Sequence, residues 1–276
     1  MIAIALITII VLLLFRHFIL WKGINLNEFY KDDIIYFGHR GEHNKVPENT
    51  IASYRSAIKN GLQAIELDVM LTKDGRLVCS HNFDLERETN GRGFIDEISY
   101  TDLEKIKTGK HFPANKQEKI PLLVDVVVSI PATILLNIEI KTKSIFDLKS
   151  AIKVAKLIKA GKISQRVIVS SFNPLVALIV KYISKSIPTG FIYEHAKHFK
   201  GVFIARPDCL NPEAEFVTDK LVKFCKKRNI RINAWTVNNT YARDWLCRKN
   251  IDGIITDFPL LAKKLVLKTS DSSKGH

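Results

Sequence analysis

The sequence predicts an α/β fold, a (β/α)8 TIM barrel with a small insertion after its second strand and a membrane helix ahead of its first. Three observations predict it. Short runs rich in Ile and Val alternate with amphipathic stretches along most of the 276 residues, the rhythm of strands buried on both faces and joined by helical crossovers. Eight such runs occur, which suits a closed barrel better than an open doubly wound sheet. No Gly-rich dinucleotide fingerprint follows the first of them.

Residues 2–15 contain one polar side chain, Thr8, and are followed by Arg16, His17, Phe18, Ile19, Leu20, Trp21 and Lys22. Continued to Trp21, a helix here reaches the roughly 20 residues that span a bilayer. Arg16 could snorkel, and Phe18 and Trp21 would sit in an aromatic belt. We therefore expect residues 1–22 to form an uncleaved transmembrane anchor. No Lys or Arg precedes the run and no small-x-small cleavage pattern follows it, which counts against a signal peptide. A segment lying in the interface is the other alternative. Arg16, Lys22 and Lys31 all follow the run, so the positive-inside rule places the globular domain in the cytoplasm, although Asp32 and Asp33 dilute the local charge.

Residues 23–33 read as a polar linker, 34–265 as the barrel and 266–276 as a polar tail. Strands are expected at 34–37, 64–70, 134–140, 167–170, 189–193, 209–210, 231–237 and 253–256. Helices are expected at 50–60, 145–160, 174–184, 218–228 and 240–249. Between a hairpin-like stretch at 77–81 and the strand at 134 lies a long insertion, helical-looking over 102–108. Barrels build their sites in such βα loops.

Apolar residues make up 46% of the chain and charged residues 25%, so a large core is expected and disorder is not. Lys and Arg outnumber Asp and Glu by 42 to 28, a formal charge of +14 that attracts nucleic acid, anionic lipid or phosphorylated substrates. Nucleic acid is disfavoured, because there is no zinc-finger spacing, no recognition helix and no interleaving of basic and aromatic residues. The Lys-rich stretches 149–162 and 220–231 read as solvated helix faces. Cys79, Cys209, Cys225 and Cys247 are far apart and read as reduced thiols.

The most informative stretch is Ala64-Ile65-Glu66-Leu67-Asp68-Val69. On a strand, Ile65, Leu67 and Val69 share one face, and Glu66 and Asp68 share the other. Two carboxylates on one face of a buried strand are costly unless a cation joins them. Asn137-Ile138-Glu139-Ile140-Lys141 repeats the pattern, with Glu139 and Lys141 on the polar face. Three carboxylates from two strands would form an all-oxygen site for a hard divalent cation, Mg²⁺ or Ca²⁺. Simple pairing of these acids with Lys141 and Arg40 is the plainer alternative.

His39 and His81 both follow strand-like runs, where a barrel presents catalytic groups, and the pair could act as general acid and base near neutral pH. Arg40 and Lys141 could neutralise phosphate oxygens. His39 with His43, and His195 with His198, are weak metal candidates, because Gly41 breaks the first pair's helix and the second has no further ligand at suitable spacing.

Phe37-Gly38-His39-Arg40-Gly41, Pro47-Glu48-Asn49-Thr50 and Glu66-Leu67-Asp68 together resemble the opening signature of the glycerophosphodiester phosphodiesterase family. Asp74-Gly75-Arg76-Leu77-Val78, His81, Ile138-Glu139-Ile140-Lys141, Ser171-Phe172, Ala234-Trp235-Thr236-Val237-Asn238 and the block from Asp252 to Asp257 continue it in order. The resemblance implies a metal held by Glu66, Asp68 and Glu139, His39 and His81 as the acid–base pair, and Arg40 and Lys141 on the phosphate. It implies that Phe172 and Trp235 line the pocket, core packing being an equal alternative for Phe172. Glu48 and Asn49 would be supporting or helix-capping residues. The implied reaction is attack of the glycerol 2-hydroxyl on phosphorus, giving a cyclic glycerol phosphate that water opens. Asn82 stands where the family often has Asp after the second histidine, and Glu88 where it usually has Thr.

Three functions are therefore in view: hydrolysis of glycerophosphodiesters to glycerol 3-phosphate and an alcohol, a lysophospholipase D acting on membrane lysophospholipids, and a catalytically silent barrel that binds lipid or phosphate at a membrane.

Overall fold

The computed structural model describes residues 1–18, 20–30 and 34–262. The expected tail at 266–276 and the charges of Lys31, Asp32 and Asp33 lie outside the described residues. Eight parallel strands form the barrel: β1 (Ile35–His39), β2 (Ala64–Leu71), β3 (Leu135–Ile140), β4 (Arg166–Ser171), β5 (Thr189–Tyr193), β6 (Cys209–Pro212), β7 (Arg231–Ala234) and β8 (Gly253–Thr256). Each pairs with its sequence neighbours, and β1 pairs with both β2 and β8, which closes the sheet.

Burial follows the alternation of the strands. Ile65, Leu67, Val69, Leu136, Ile138 and Ile140 face outward into one core with helices Ile51–Lys59, Lys149–Lys159 and Pro174–Ile183. Thr50 caps the first of these helices by accepting from Ser53 N, and Asn173 caps the last. The helix expected at 145–160 starts only at Lys149. Before it, residues 141–148 form a loop, whose Ser144 and Ile145 carbonyls accept from the Asn173 amide.

The insertion opens with Leu77–Cys79, a strand antiparallel to β2 with Val69 opposite Cys79. Its helical expectation at 102–108 needs correction. Ser99 caps a single helical turn, Tyr100–Leu103, and Lys107–Thr108 instead pairs as a strand with Glu118–Lys119. Met70, Val78, Leu85, Ile95, Leu103 and Ile120 form the insertion's own core.

The N-terminal expectations change most. The helix runs from Ile2 to Phe18 and stops before Trp21, and among the described residues no helix is long and apolar enough to cross a membrane. Trp21 is no interfacial belt residue. It is buried with Leu221, Cys225 and Ile230, under the Arg228 guanidinium. Of the stretch expected as a linker, residues 23–30 form a plug, with Leu26 and Tyr30 filling the barrel's interior below Phe37, Leu135 and Ile168. Gly23 N donates to Arg228 O, and a Cβ on Gly23 would lie 2.4 Å from Asn229 O, so this close approach requires glycine. Ile24 N donates to Asp208, just ahead of β6. The segment therefore docks where β6 and β7 begin.

Candidate active site

The polar residues gather at the opposite end, where the strands finish. Strand register builds the cluster: His39 lies beside Glu66, Glu66 beside Asn137, and Asp68 beside Glu139. All are on inward positions of β1, β2 and β3. Ligand oxygens of Glu66, Asp68 and Glu139 lie within 4.8 Å of one another. The three expected metal ligands are thus brought together, and all are buried.

Pairing with Arg40 and Lys141 explains part of this. Lys141 Nζ lies 2.7 Å from Glu139 Oε1 and 3.5 Å from Asp68 Oδ1. Arg40 Nε lies 3.4 Å from Asp68 Oδ2, while its Nη1 lies 3.0 Å from Glu48. Two cations therefore serve four carboxylates: Glu48, Glu66, Asp68 and Glu139. Among the described residues, Glu66 receives only the Arg40 backbone N–H on Oε2, at 3.0 Å, and its buried Oε1 has no partner. Both amide atoms of neighbouring Asn137 are equally without partners. The plainer pairing leaves Glu66 unexplained. A cation of charge two would balance the four acids and engage the orphaned oxygen, so the donor set fits a hard divalent metal.

The charges respond accordingly. Burial, then repulsion from Asp68 and Glu139, raises the Glu66 carboxyl well above the usual range. Burial would raise Asp68 as well, but Lys141 and Arg40 outweigh it and hold Asp68 below its ordinary value. Glu139 is raised by burial, with Lys141 opposing. Burial disfavours the Lys141 ammonium, yet Glu139 and Asp68 more than restore it and push its pKa up.

Backbone shape sets Arg40. Its φ is 54°, and Gly41 follows at 86°, where a Cβ would lie 2.5 Å from Ser53 Oγ. This turn aims the Arg40 N–H at Glu66 and its side chain at Asp68 and Glu48. Asn49 is not the helix cap, a role that Thr50 takes. Asn49 instead donates to Asp68 Oδ2 at 2.8 Å and accepts from Asp68 N at 3.1 Å, fixing that carboxylate.

His39 and His81 both line the same cavity of about 720 Å³. His39 Nδ1 lies 2.7 Å from Asp257 Oδ1, and Asn238 donates to the other Asp257 oxygen. Burial would raise Asp257, but its hydrogen bond to His39 lowers it. Asp257 was not expected as a site residue, and its signals were its place directly after β8 and at the end of the last block that carries the family resemblance. His81 is carried in by the insertion's first strand, after Ser80 N donates to Asp68 O. Its Nδ1 lies 3.0 Å from the neutral Asn82 amide, and burial lowers its pKa. Phe172 is 38% exposed, which rules out core packing. It meets Trp235 edge to face at 5.6 Å, and Lys141 lies over its ring. Beyond them the cavity continues past Phe191 and Ile192 to Lys197 and His198, of which the sequence had marked only His198, and that as a weak metal candidate with His195.

His43 joins His39 and Asp257 in a second close group, but its Nδ1 is engaged with the His39 carbonyl.

A family model described as the glycerophosphoryl diester phosphodiesterase family matches residues 39–261. A glycerophosphodiester phosphodiesterase of Caldanaerobacter subterraneus is 34% identical over 238 residues, covering 85% of this chain and 98% of the relative. Another, from Bacillus altitudinis, is 30% identical and covers 83% of this chain and 96% of its own length. The crystal structure of a glycerophosphodiester phosphodiesterase from Thermotoga maritima superimposes with a TM-score of 0.69 at 28% identity, over 84% of this chain and 98% of that one. An Oleispira antarctica phosphodiesterase, solved with sn-glycerol-3-phosphate, gives a TM-score of 0.77 over 87% of this chain and 98% of that one; at 23% identity this speaks to the fold.

Proposed function

The chain belongs to the glycerophosphoryl diester phosphodiesterase family and is a phosphoric diester hydrolase, and from that premise we propose that it hydrolyses glycerophosphodiesters to glycerol 3-phosphate and a free alcohol with the help of one divalent cation, Mg²⁺ or Ca²⁺. The observation that carries the reading is the excess of carboxylate over fixed cation around Glu66, with its buried oxygen unpartnered, in the cavity that His39 and His81 also line. Glu66, Asp68 and Glu139 would hold the cation, which supplies a lowered hydroxyl pKa and relief of charge on the phosphoryl oxygens.

The chain's own groups do the rest. Arg40 and Lys141 bind the non-bridging oxygens. The glycerol 2-hydroxyl forms the new O–P bond as the P–O bond to the alcohol breaks. One histidine takes the hydroxyl proton and the other protonates the departing alkoxide. Water then opens the cyclic phosphate with the two histidines in exchanged roles. Asp257 holds the His39 ring through Nδ1, whereas Asn82 orients His81 without a charge.

We also propose that the N-terminal helix associates with a bilayer. Its residues from Ile4 to Phe15 that carry large apolar side chains are at least half exposed on every side, and a helix apolar all round needs an apolar partner. At about 1.5 Å per residue it is about 25 Å long, short of the ~30 Å hydrocarbon core. Its root docks at the end of the barrel away from the site, which favours water-soluble diesters over membrane-resident lysophospholipids. The cations after the helix favour the cytoplasmic side.

The test is turnover of glycerophosphocholine and of lysophosphatidylcholine by the full chain, with and without chelator. Metal-dependent release of glycerol 3-phosphate and choline, reduced about 10²- to 10⁴-fold by His39→Ala, is expected. Unchanged turnover in that variant refutes the assignment, and preference for the lysolipid overturns the soluble-substrate reading.

A further inference from the structure

On the outside of the barrel, along helix Pro174–Ile183, a groove of about 640 Å³ runs beside the segment that follows the N-terminal helix. Its floor is apolar, formed by Leu148, Leu175, Leu178 and Ile179. Among the described residues, four cations line it, namely Lys22, Lys181, Lys185 and Arg206, and no acid does. An apolar floor edged by one sign of charge fits an amphiphile carrying the opposite charge.

The cations are not equivalent. Lys181 is spent on Asp208 at 2.9 Å and on the Arg206 carbonyl. Arg206 sits in a left-handed backbone conformation, φ 45°, held by its N–H on Val202 O. Its buried Nε has no acceptor. Trp21, more than nine-tenths buried and lining the same groove, likewise leaves its indole Nε1 without an acceptor. Two donors shut away from water without acceptors are costly, and they border one groove. Trp21, Lys22 and Ile24, which follow the apolar helix Ile2–Phe18 within a few residues, line the groove, so it adjoins the root of the helix argued above to meet the bilayer.

We propose that this groove binds one anionic phospholipid of the bilayer, with its phosphate on Arg206, Lys185 and Lys22 and an acyl chain on the floor of Leu175, Leu178 and Ile179. The inference rests on the reading of the helix as membrane-associated, and adds to it a headgroup preference.

The experiment is co-sedimentation of the full chain with phosphatidylcholine vesicles and with phosphatidylcholine–phosphatidylglycerol vesicles. The triple variant Lys22→Gln/Lys185→Gln/Arg206→Gln is compared with Lys107→Gln/Lys110→Gln/Lys116→Gln, an equal charge change on the insertion. Each cation near an anionic surface contributes about fivefold, so the groove triple should lose about a hundredfold in affinity for anionic vesicles. Binding to neutral vesicles and turnover of glycerophosphocholine should be unchanged. Equal loss in the two triples shows a diffuse charge effect and overturns the groove. Equal binding of the natural chain to both vesicle types also overturns it, while leaving membrane association by the helix intact. Absence of binding to either vesicle overturns both. Loss of the anionic preference in millimolar inorganic phosphate assigns the groove to free phosphate and overturns the lipid. Should the Arg206 substitution impair folding, Lys22→Gln/Lys185→Gln carries the same expectation at about thirtyfold.

Discussion

Replacing Glu66 by Gln separates a metal centre from a merely paired acidic cluster. The ligand oxygens of Glu66, Asp68 and Glu139 lie within 4.8 Å of one another. At an effective dielectric constant of about 20, two like unit charges at that separation repel by about 3.5 kcal/mol. Glu66 faces two such neighbours, and Arg40 is the cation that offsets them. Without metal, Glu66 therefore takes up a proton far more readily than an ordinary glutamate, burial being the larger cause and repulsion the second. Gln is an uncharged isostere of that protonated form, so the metal-free variant should be at least as stable as the natural chain. With metal the order reverses. A cation present at 100 times its Kd stabilises the folded state by about 2.7 kcal/mol, which for a domain of this size raises Tm by about 5–11 °C. The variant should lose most of that rise. Because the metal displaces a proton from Glu66, affinity should also strengthen as pH rises. The assay is calorimetric melting of both proteins in chelator and in excess Mg²⁺ or Ca²⁺. A metal-induced rise that survives in the Gln variant refutes the site, as does a chelated variant melting more than about 5 °C below its parent.

Three further outcomes are expected. Asp257→Asn should lower kcat/KM by about 10- to 100-fold with little change in KM; an unchanged kcat/KM would make Asp257 a structural residue only. Burial lowers the folded-state pKa of His81, so as pH falls below the unfolded value of about 6.5 the unfolded chain binds the proton first and stability declines. Denaturant midpoints of the natural chain should accordingly drop more between neutral and mildly acidic pH than those of His81→Gln, and parallel curves would contradict this. Trp21→Ala should cost about 3–5 kcal/mol of barrel stability with turnover intact, whereas a freely hanging linker would show no loss in the same denaturation experiment.

The inward placement of Glu66, Asp68, Glu139 and Lys141 was legible because strand alternation has a period of two, and a short polar–apolar pattern fixes which residues share a face. His39 and Arg40 were legible from their place at a strand end. Asp257 was not, since its role depends on β8 closing against β1, a contact across 218 residues. Asn49 could be read as either a supporting or a helix-capping residue, since Asx residues often precede helices; the fold decides for the first, with its side chain drawn to Asp68. Trp21 looked like a belt residue because local hydropathy cannot distinguish lipid from a barrel's underside as the partner of an indole.

The amino-acid order alone thus determined the eight-stranded rhythm, the face each acid occupies and the family blocks that carry the histidines, since all of these are local or periodic properties. Tertiary structure decided the ratio of carboxylates to cations around Glu66, the backing of His39 by Asp257 and the burial of Trp21, Leu26 and Tyr30 beneath the barrel. These arise from contacts between residues far apart in the chain, whose distances exist only once the sheet has closed.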